Sequence, residues 1–253
     1  MKPVVVRNVT IGEGIPKICA PIVGETKAEI VTEAKHLLSL PVDIVEWRAD
    51  WFAQATDVEK VQEVLVELRS VLEERPLLFT FRTSGEGGEK FLEIEDYAAL
   101  NLAVAESGNA DLVDVEAFMG TGTIKRVIQE VQSFGVKTVV SNHEFGKTPP
   151  QEEIIRRLCY MQDLGADIVK IAVMPQSKKD VLILLAATEE MAREYATCPV
   201  ITMSMAGEGV ISRLCGEVFG SALTFGAVGK GSAPGQVEVS DLHTILRLLH
   251  KNV

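Results

Sequence analysis

One lysine interrupts an otherwise apolar run of the sequence, ADIVKIAVM at positions 166–174. The β-branched residues around Lys170 are typical of a strand buried on both faces, as in a parallel sheet. Removal from water destabilises the charged form of an ammonium group, so burial lowers the pKa of a lysine and favours an amine that can form an imine. The alternative is a lysine whose charged end reaches water or pairs with a carboxylate.

Other polar residues stand at the ends of β-prone segments. Glu46 and Arg48 are two positions apart, so both side chains lie on one face of a strand, although such a pair can also be purely structural. Arg82 ends a further segment. His143 directly follows another, and it is the natural general base near neutral pH. The remaining three histidines fall in helical patterns.

Carboxylates occur at related positions. Asp114 and Glu116 belong to a β-prone segment, and together with Glu46 they could hold a divalent metal. One histidine with scattered acids is nevertheless a weak pattern for a metal site. Glu86 lies in a glycine-rich turn soon after Arg82, from which it could reach a histidine on a neighbouring strand.

Eight β-prone segments alternate with amphipathic helical patterns and must position these side chains. The segments begin near Lys17, Asp43, Leu77, Asp111, Lys137, Asp167, Pro199 and Leu223. Eight such units in a chain of this length, without a GxGxxG motif after the first strand, favour a (β/α)8 TIM barrel over an open sheet. Two short β-prone runs near the N-terminus predict a hairpin that closes the bottom of the barrel. The polar strand ends then meet at the opposite end.

A second glycine-rich loop, GKGSAPGQ at positions 229–236, follows the eighth strand. Its length and its small residues are typical of a lid over an active site. The alternative is a phosphate-binding loop, which barrels often have after strands seven and eight. Met203 and Met205 share one face of the seventh strand and are expected to pack in the core or against a substrate.

Composition excludes several classes of partner. The chain has 253 residues and a net charge of −11 without a basic block, which argues against nucleic acids and anionic membranes. No linker divides it, so we expect a single domain over residues 1–253. No secretory signal or spanning segment is evident, and the four scattered cysteines are typical of reduced thiols. These features predict a cytoplasmic protein.

Taken together, these motifs resemble the type I 3-dehydroquinate dehydratases, from the first strand to the last helix. The resemblance rests on EWR at 46–48, FTFR at 79–82, EGGE at 86–89, SNH at 141–143, KIA at 170–172, MSM at 203–205, GVISR at 209–213 and SAPGQ at 232–236. It implies a (β/α)8 barrel that acts as a homodimer without a metal or organic cofactor. It also implies the syn elimination of water from 3-dehydroquinate to 3-dehydroshikimate in the shikimate pathway.

The resemblance assigns roles in catalysis. Lys170 forms an imine with the C3 ketone, and the protonated imine acidifies the C2 hydrogen. His143 removes that proton and later protonates the departing C1 hydroxyl. Glu86 orients His143 and favours its protonated form.

The resemblance also assigns substrate contacts. Arg213 binds the substrate carboxylate, while Glu46, Arg48 and Arg82 hold the ring hydroxyls and the carboxylate side. The apolar edges of the ring pack on Met203 and Phe225, and the lid contributes Ser232, Ala233 and Gln236. Pro21 departs from the pattern, because relatives have a hydroxyl-bearing residue at the end of the first strand. This departure affects one peripheral contact.

Two other functions remain open on the residues alone. A class I aldolase shares the barrel, the lysine and the imine, but it typically cleaves a carbon–carbon bond of a phosphorylated substrate. A barrel that only binds a metabolite is the second alternative. Three arginines and a histidine beside Glu86 favour a carboxylated ring over a phosphorylated one, and a binding protein has no need of a buried amine.

Overall fold

Eight parallel strands curl into a barrel in the computed structural model, which describes residues 1–229 and 233–253. Each predicted β-prone segment forms one of these strands: β3 Lys17–Ile22, β4 Ile44–Arg48, β5 Leu77–Thr80, β6 Leu112–Glu116, β7 Lys137–Glu144, β8 Ile168–Val173, β9 Val200–Ser204 and β10 Leu223–Ala227. Strands β3 to β9 pair in sequence order, and β10 pairs with β3. The predicted (β/α)8 barrel is confirmed.

The N-terminal hairpin consists of β1 (Val4–Val6) and β2 (Val9–Ile11), which pair antiparallel. Its buried residues Val4, Val6 and Ile11 belong to one apolar cluster with side chains from the first halves of the barrel strands, such as Ile44 and Ile168. The hairpin therefore closes the amino-terminal end of the barrel, and the other end stays available for a site.

Alternation along β8 decides which side chains face the barrel interior. Val169, Ile171 and Val173 belong to the outer core, which packs between strands and helices, whereas Ile168 and Ala172 belong to the inner cluster. Lys170 has the same parity as the inner pair, so its side chain enters the interior.

The first two helices around the barrel begin at side-chain caps. Thr26 and Glu29 form a capping box at the first helix, and the Asp57 side chain accepts from backbone N–H groups at the second. The apolar residues of each helix face the strands. The helices are α1 Lys27–Leu37, α2 Val58–Leu72, α3 Ile94–Glu106, α4 Thr121–Ser133, α5 Gln151–Asp163, α6 Lys178–Glu190, α7 Val210–Leu214, α8 Gly216–Phe219 and α9 Val239–His250. No helix within the described ranges is long and apolar enough to cross a bilayer.

The barrel closes least regularly between β9 and β10. In the described part of the chain this seam contains a single parallel bridge, from Val200 to Ser221, supported by a bond from the Ala222 N–H to the Val200 carbonyl at 2.8 Å. The helices α7 and α8 occupy the connection across it. A two-residue strand that the sequence did not predict, β11 (Val237–Glu238), pairs with the outer end of β10.

Candidate active site

A pocket of about 490 Å³ opens at the carboxyl ends of the barrel strands. It brings together eleven of the twelve residues predicted for the site: Glu46, Arg48, Arg82, Glu86, His143, Lys170, Met203, Arg213, Phe225, Ala233 and Gln236. The twelfth, Ser232, lies outside the described residues. Polar residues that are far apart in sequence thus share one cavity, as expected from the ends of parallel strands.

Lys170 lies at the inner end of this pocket and is only 3 % exposed. Its Nζ donates to Asp114 Oδ2 at 3.1 Å and lies 4.6 Å from the centre of the Phe225 ring. One side of the amine therefore contacts a carboxylate and another an aromatic face, which is a favourable surface for a cation. An amine at the back of a cavity, on a rigid strand, can react only with a molecule that enters the pocket.

Asp114 joins Lys170 to Arg82. The Asp114 carboxylate accepts from Arg82 Nη2 and from Ser141 Oγ, both at 2.6 Å. Burial alone raises the pKa of Asp114, but the charges of Arg82 and Lys170 and the bond from Ser141 outweigh it, so the pKa lies below its ordinary value. Asp114 is therefore a buried anion beside the amine.

Arg82 lines the pocket, but most of its donors already serve the protein. Besides Asp114, its Nη1 donates to Glu116 at 3.0 Å and to Ser141 at 3.1 Å. Burial lowers the pKa of Arg82, yet the neighbouring carboxylates overcome this and hold it well above the ordinary value. Asp114 and Glu116 belonged, with Glu46, to a sequence pattern that indicated a metal site only weakly. In the structure both carboxylates have the buried guanidinium of Arg82 as partner.

The predicted contact between Glu86 and His143 is present. Glu86 Oε2 lies 3.0 Å from His143 Nδ1 and accepts from the His143 backbone N–H at 2.9 Å, while Oε1 accepts from the Asn142 side chain at 3.0 Å. The turn that carries Glu86 folds back tightly on the end of β5, since a Cβ at Gly88 would lie 1.8 Å from the Arg82 carbonyl oxygen.

The electrostatics of this pair differ from the expectation. Burial, followed by the charges of Arg82, Lys170 and Arg48, lowers the pKa of His143 well below its ordinary value. Burial also raises the pKa of Glu86 to about 7, against the charge of Arg82. Glu86 was expected to favour protonated His143, but burial and three cations oppose this. A neutral ring that donates from Nδ1 to Glu86 leaves Nε2 as a base.

Glu46 and Arg48 share the inner face of β4 as their spacing predicted, and Trp47 packs in the outer core. Arg48 donates from Nε and Nη2 to Asp50, both at 2.8 Å. Glu46 accepts from Thr80 Oγ1 at 2.8 Å. This fixed carboxylate can accept hydrogen bonds from ligand hydroxyls.

Arg213 is the cation best suited to an incoming anion. It comes from α7 and is 1 % exposed, and its Nη2 donates to the Pro234 carbonyl at 3.1 Å. Its Nε is buried without a hydrogen-bond partner, and no carboxylate among the described residues pairs with it. Burial lowers the pKa of Arg213 to about 10, so the group remains charged at neutral pH. A buried guanidinium with a free donor favours a carboxylate ligand.

The sequence interpretation did not assign Asp50, Phe145 and Ala172 to the site, although they line or support the pocket. Phe145 and Ala172 stand two positions beyond His143 and Lys170, so the period of two along a strand was a signal that could have identified them. Asp50 lies in a short 3-10 helix after β4, where that period does not apply. Met205, which was expected to pack in the core or against a substrate, also lines the pocket. Gly87 also lines the pocket, whereas Pro21 does not and borders a separate cavity with Glu33 and His36.

Comparison with known proteins places this geometry in a family. A sequence model of type I 3-dehydroquinase matches residues 18–253. The chain is 55% identical over 252 residues to 3-dehydroquinate dehydratase of Clostridioides difficile, covering all of this chain and 99% of that protein. It is 54% identical over 251 residues to the enzyme of that name from Listeria monocytogenes, covering 99% of each.

A solved structure gives the same result. The chain superposes with a TM-score of 0.97 on a crystal structure of type I 3-dehydroquinate dehydratase from Clostridium difficile with covalently modified comenic acid, at 55% identity and covering 100% of this chain and 99% of that one. The match in sequence, fold and length extends over the whole barrel. The chain belongs to the type I 3-dehydroquinase family.

Proposed function

We propose that Lys170, His143 and Glu86 carry out the dehydration of 3-dehydroquinate in the pocket at the carboxyl ends of the strands. As a member of its family, the chain is a lyase of the shikimate pathway that gives 3-dehydroshikimate through a Schiff base. The observation that carries the residue assignment is the buried Lys170 amine, which shares one pocket with the hydrogen-bonded pair of His143 and Glu86.

The first step is imine formation at Lys170. The uncharged amine attacks the C3 carbonyl of the substrate, and the carbinolamine loses water to give a protonated imine. The positive charge then resides at Nζ, beside the Asp114 carboxylate that lies 3.1 Å away in the free protein. A fixed buried anion stabilises this charge without reorganisation.

Elimination follows at His143. Nε2 removes the proton from C2, and the electron pair moves into the protonated imine to give an enamine. The enamine then expels the C1 hydroxyl, which takes the proton from His143 and leaves as water. One histidine serves both transfers because a syn elimination uses a single face of the ring. Hydrolysis of the imine releases the product and restores Lys170.

Binding and orientation come from the residues around this centre. We assign the substrate carboxylate to Arg213, whose buried Nε has no other partner. Glu46 and Arg48 hold ring hydroxyls, and Met203 and Phe225 pack on the apolar edges. Arg82 contributes mainly by fixing Asp114 and Glu116, since its donors already bind them. Ala233 and Gln236 contact the substrate from the lid, and we retain Ser232 in that group.

Borohydride trapping tests the assignment of Lys170. Reduction in the presence of 3-dehydroquinate should leave a ligand-sized mass on the peptide that contains Lys170, and a spectrophotometric assay should show the conjugated enone product. Lys170→Met should abolish both signals. Lys137→Met is the matched control, because Lys137 begins a strand at the other end of the barrel, where it pairs with Asp167. An active enzyme with unmodified Lys170 would refute the mechanism.

We also propose that the chain is a single cytoplasmic domain of residues 1–253 that forms a homodimer. Family membership supports the dimer, and the free thiols of all four cysteines fit a reducing compartment. Light scattering during size-exclusion chromatography should give twice the mass of one chain. A monomer that retains full activity would contradict the dimer.

A further inference from the structure

A chain of polar contacts leaves the pocket through Asn142 and ends on an outer helix. Asn142 alternates with His143 on β7, so its side chain lies on the opposite face of the strand and is 7 % exposed. Its Nδ2 donates to Glu86 Oε1 at 3.0 Å. Its Oδ1 accepts from Arg157 Nη1, also at 3.0 Å. Arg157 belongs to α5 and is itself held by Glu153 at 2.7 Å.

The two neighbours leave one orientation for the Asn142 amide. A guanidinium can only donate, and an ionised carboxylate can only accept, so the carbonyl oxygen must face Arg157 and the NH2 group must face Glu86. We infer that Arg157 is a positioning residue of the dehydration reaction, acting through Asn142 to keep a hydrogen-bond donor on Glu86. Without Arg157, the buried Oδ1 of Asn142 loses its hydrogen bond from the guanidinium, and the rotamer that serves Glu86 becomes unfavourable.

The hydrogen bond from Asn142 matters because few other contacts of Glu86 favour its ionised form. Burial and the charge of Glu116 raise its pKa, whereas Arg82, at 3.6 Å, and the bonds from Asn142 and the His143 backbone lower it. The His143 ring is the titratable group in direct contact with it, at 3.0 Å. Loss of the Asn142 bond therefore moves Glu86 towards its neutral form, which no longer orients the His143 ring as a hydrogen-bond acceptor.

Arg157→Met tests this inference, which rests on the proposed function. The methionine retains an apolar stem near the Phe118 ring, over which the guanidinium lies at 5.9 Å. We expect the acidic limb of the kcat–pH profile to move up by about one unit, so that kcat falls about fivefold at pH 7 and little at pH 9. Arg157→Lys, which retains a charged donor, should restore most of the activity at pH 7.

The neighbouring arginine supplies the matched control. Arg156 also binds Glu153, at 2.7 and 2.8 Å, but the guanidinium that donates to Asn142 is that of Arg157. Arg156→Met should therefore leave the pH profile unchanged. An equal shift in both variants would overturn the inference, because the effect would then come from Glu153 or from surface charge.

A double variant separates positioning from a direct effect of charge. Asn142→Ala should shift the acidic limb about as far as Arg157→Met, and adding Arg157→Met to it should produce little further shift. Additive shifts would refute the pathway through Asn142. A wild-type protein without dehydratase activity or borohydride trapping would instead refute the proposed function, so the two failures are distinguishable.

Discussion

Replacing Asp114 with asparagine tests the buried charge network beside Lys170. The substitution preserves shape but removes a carboxylate that is fully buried and contacts Lys170, Arg82 and Ser141. Both cations remain in place. The variant therefore leaves two buried positive charges with less compensation, and it removes the anion nearest to the imine nitrogen.

The magnitude follows from the partners that remain. Removing one member of a buried ion pair typically costs about 3–5 kcal/mol of stability. Arg82 still binds Glu116 at 3.0 Å, so the lower end of that range applies. A loss of about 3 kcal/mol corresponds to a fall in Tm of about 6–12 °C for a chain of this size. We expect kcat to fall at least ~10-fold, which is ~1.4 kcal/mol of transition-state stabilisation.

Calorimetry and steady-state kinetics together measure these effects. Asp111→Asn is the matched control, because Asp111 also binds two arginines, Arg7 at 2.6 Å and Arg69 at 2.7 Å, but at the closed end of the barrel. That variant should lose stability and retain kcat. A fall in Tm of less than about 3 °C for Asp114→Asn would refute the reasoning about buried charge. An equal loss of kcat in both variants would refute the specific role beside Lys170.

The same carboxylate gives a pH dependence. The pKa of Asp114 is lowered in the folded protein, so its contribution to stability is present above the ordinary value of about 3.9 and is lost as the pH falls through the folded value. The difference in Tm between wild type and Asp114→Asn should therefore narrow below about pH 4.

Three further outcomes are expected. His143→Ala should still form a borohydride-trappable imine but eliminate slowly, and wild-type turnover would show that the base is another residue. Arg213→Lys should raise KM more than it lowers kcat. The rise in KM should correspond to about 1.5–3 kcal/mol of binding free energy, the value of one lost charge-assisted hydrogen bond. An unchanged KM would show that the substrate carboxylate binds elsewhere. His143→Gln should make stability fall by ~2–3 kcal/mol as pH rises from 4.5 to 7, because the pKa of Glu86 is raised to about 7 in the folded protein. In the wild type the lowered pKa of His143 opposes that change, so the difference in stability between wild type and His143→Gln should vary with pH. A difference that stays constant from pH 4.5 to 7 would contradict the lowered pKa of His143.

Much of the barrel and its site followed from periodicity. Apolar runs separated by helical patterns fixed the order of the strands, and a period of two placed Glu46, Arg48 and Lys170 on the inner face. Extension of that period by two residues would also have found Ala172 and Phe145. The alternation of side-chain direction along a strand depends only on neighbouring residues, so it can be predicted from a single sequence.

Contacts between different strands were not accessible in this way. The sequence did not indicate which of Glu46, Asp114 and Glu116 lies beside Lys170, and the structure has Asp114 there. The stagger between neighbouring strands decides which of several inward carboxylates reaches the amine, and that stagger is a property of the closed barrel. The effect of burial on His143 likewise depends on Arg82, Arg48 and Lys170, which converge only after folding.

The irregular closure between β9 and β10 has a consequence for local opening. Five pairs of residues join β8 to β9, where the Val169 N–H donates to the Pro199 carbonyl at 3.0 Å, but a single bridge joins Val200 to Ser221 at the seam. Backbone amides protected by few neighbouring bonds exchange with solvent through small fluctuations, whereas those in long ladders require larger ones. Deuterium uptake should therefore be faster at Thr202 and Ala222 than at Val169 and Ile171. Arg213 lies on the connection that crosses this seam, so a carboxylate bound to it should slow deuterium uptake at Thr202 and Ala222. Ligand binding would then stabilise the closed barrel at its least regular point.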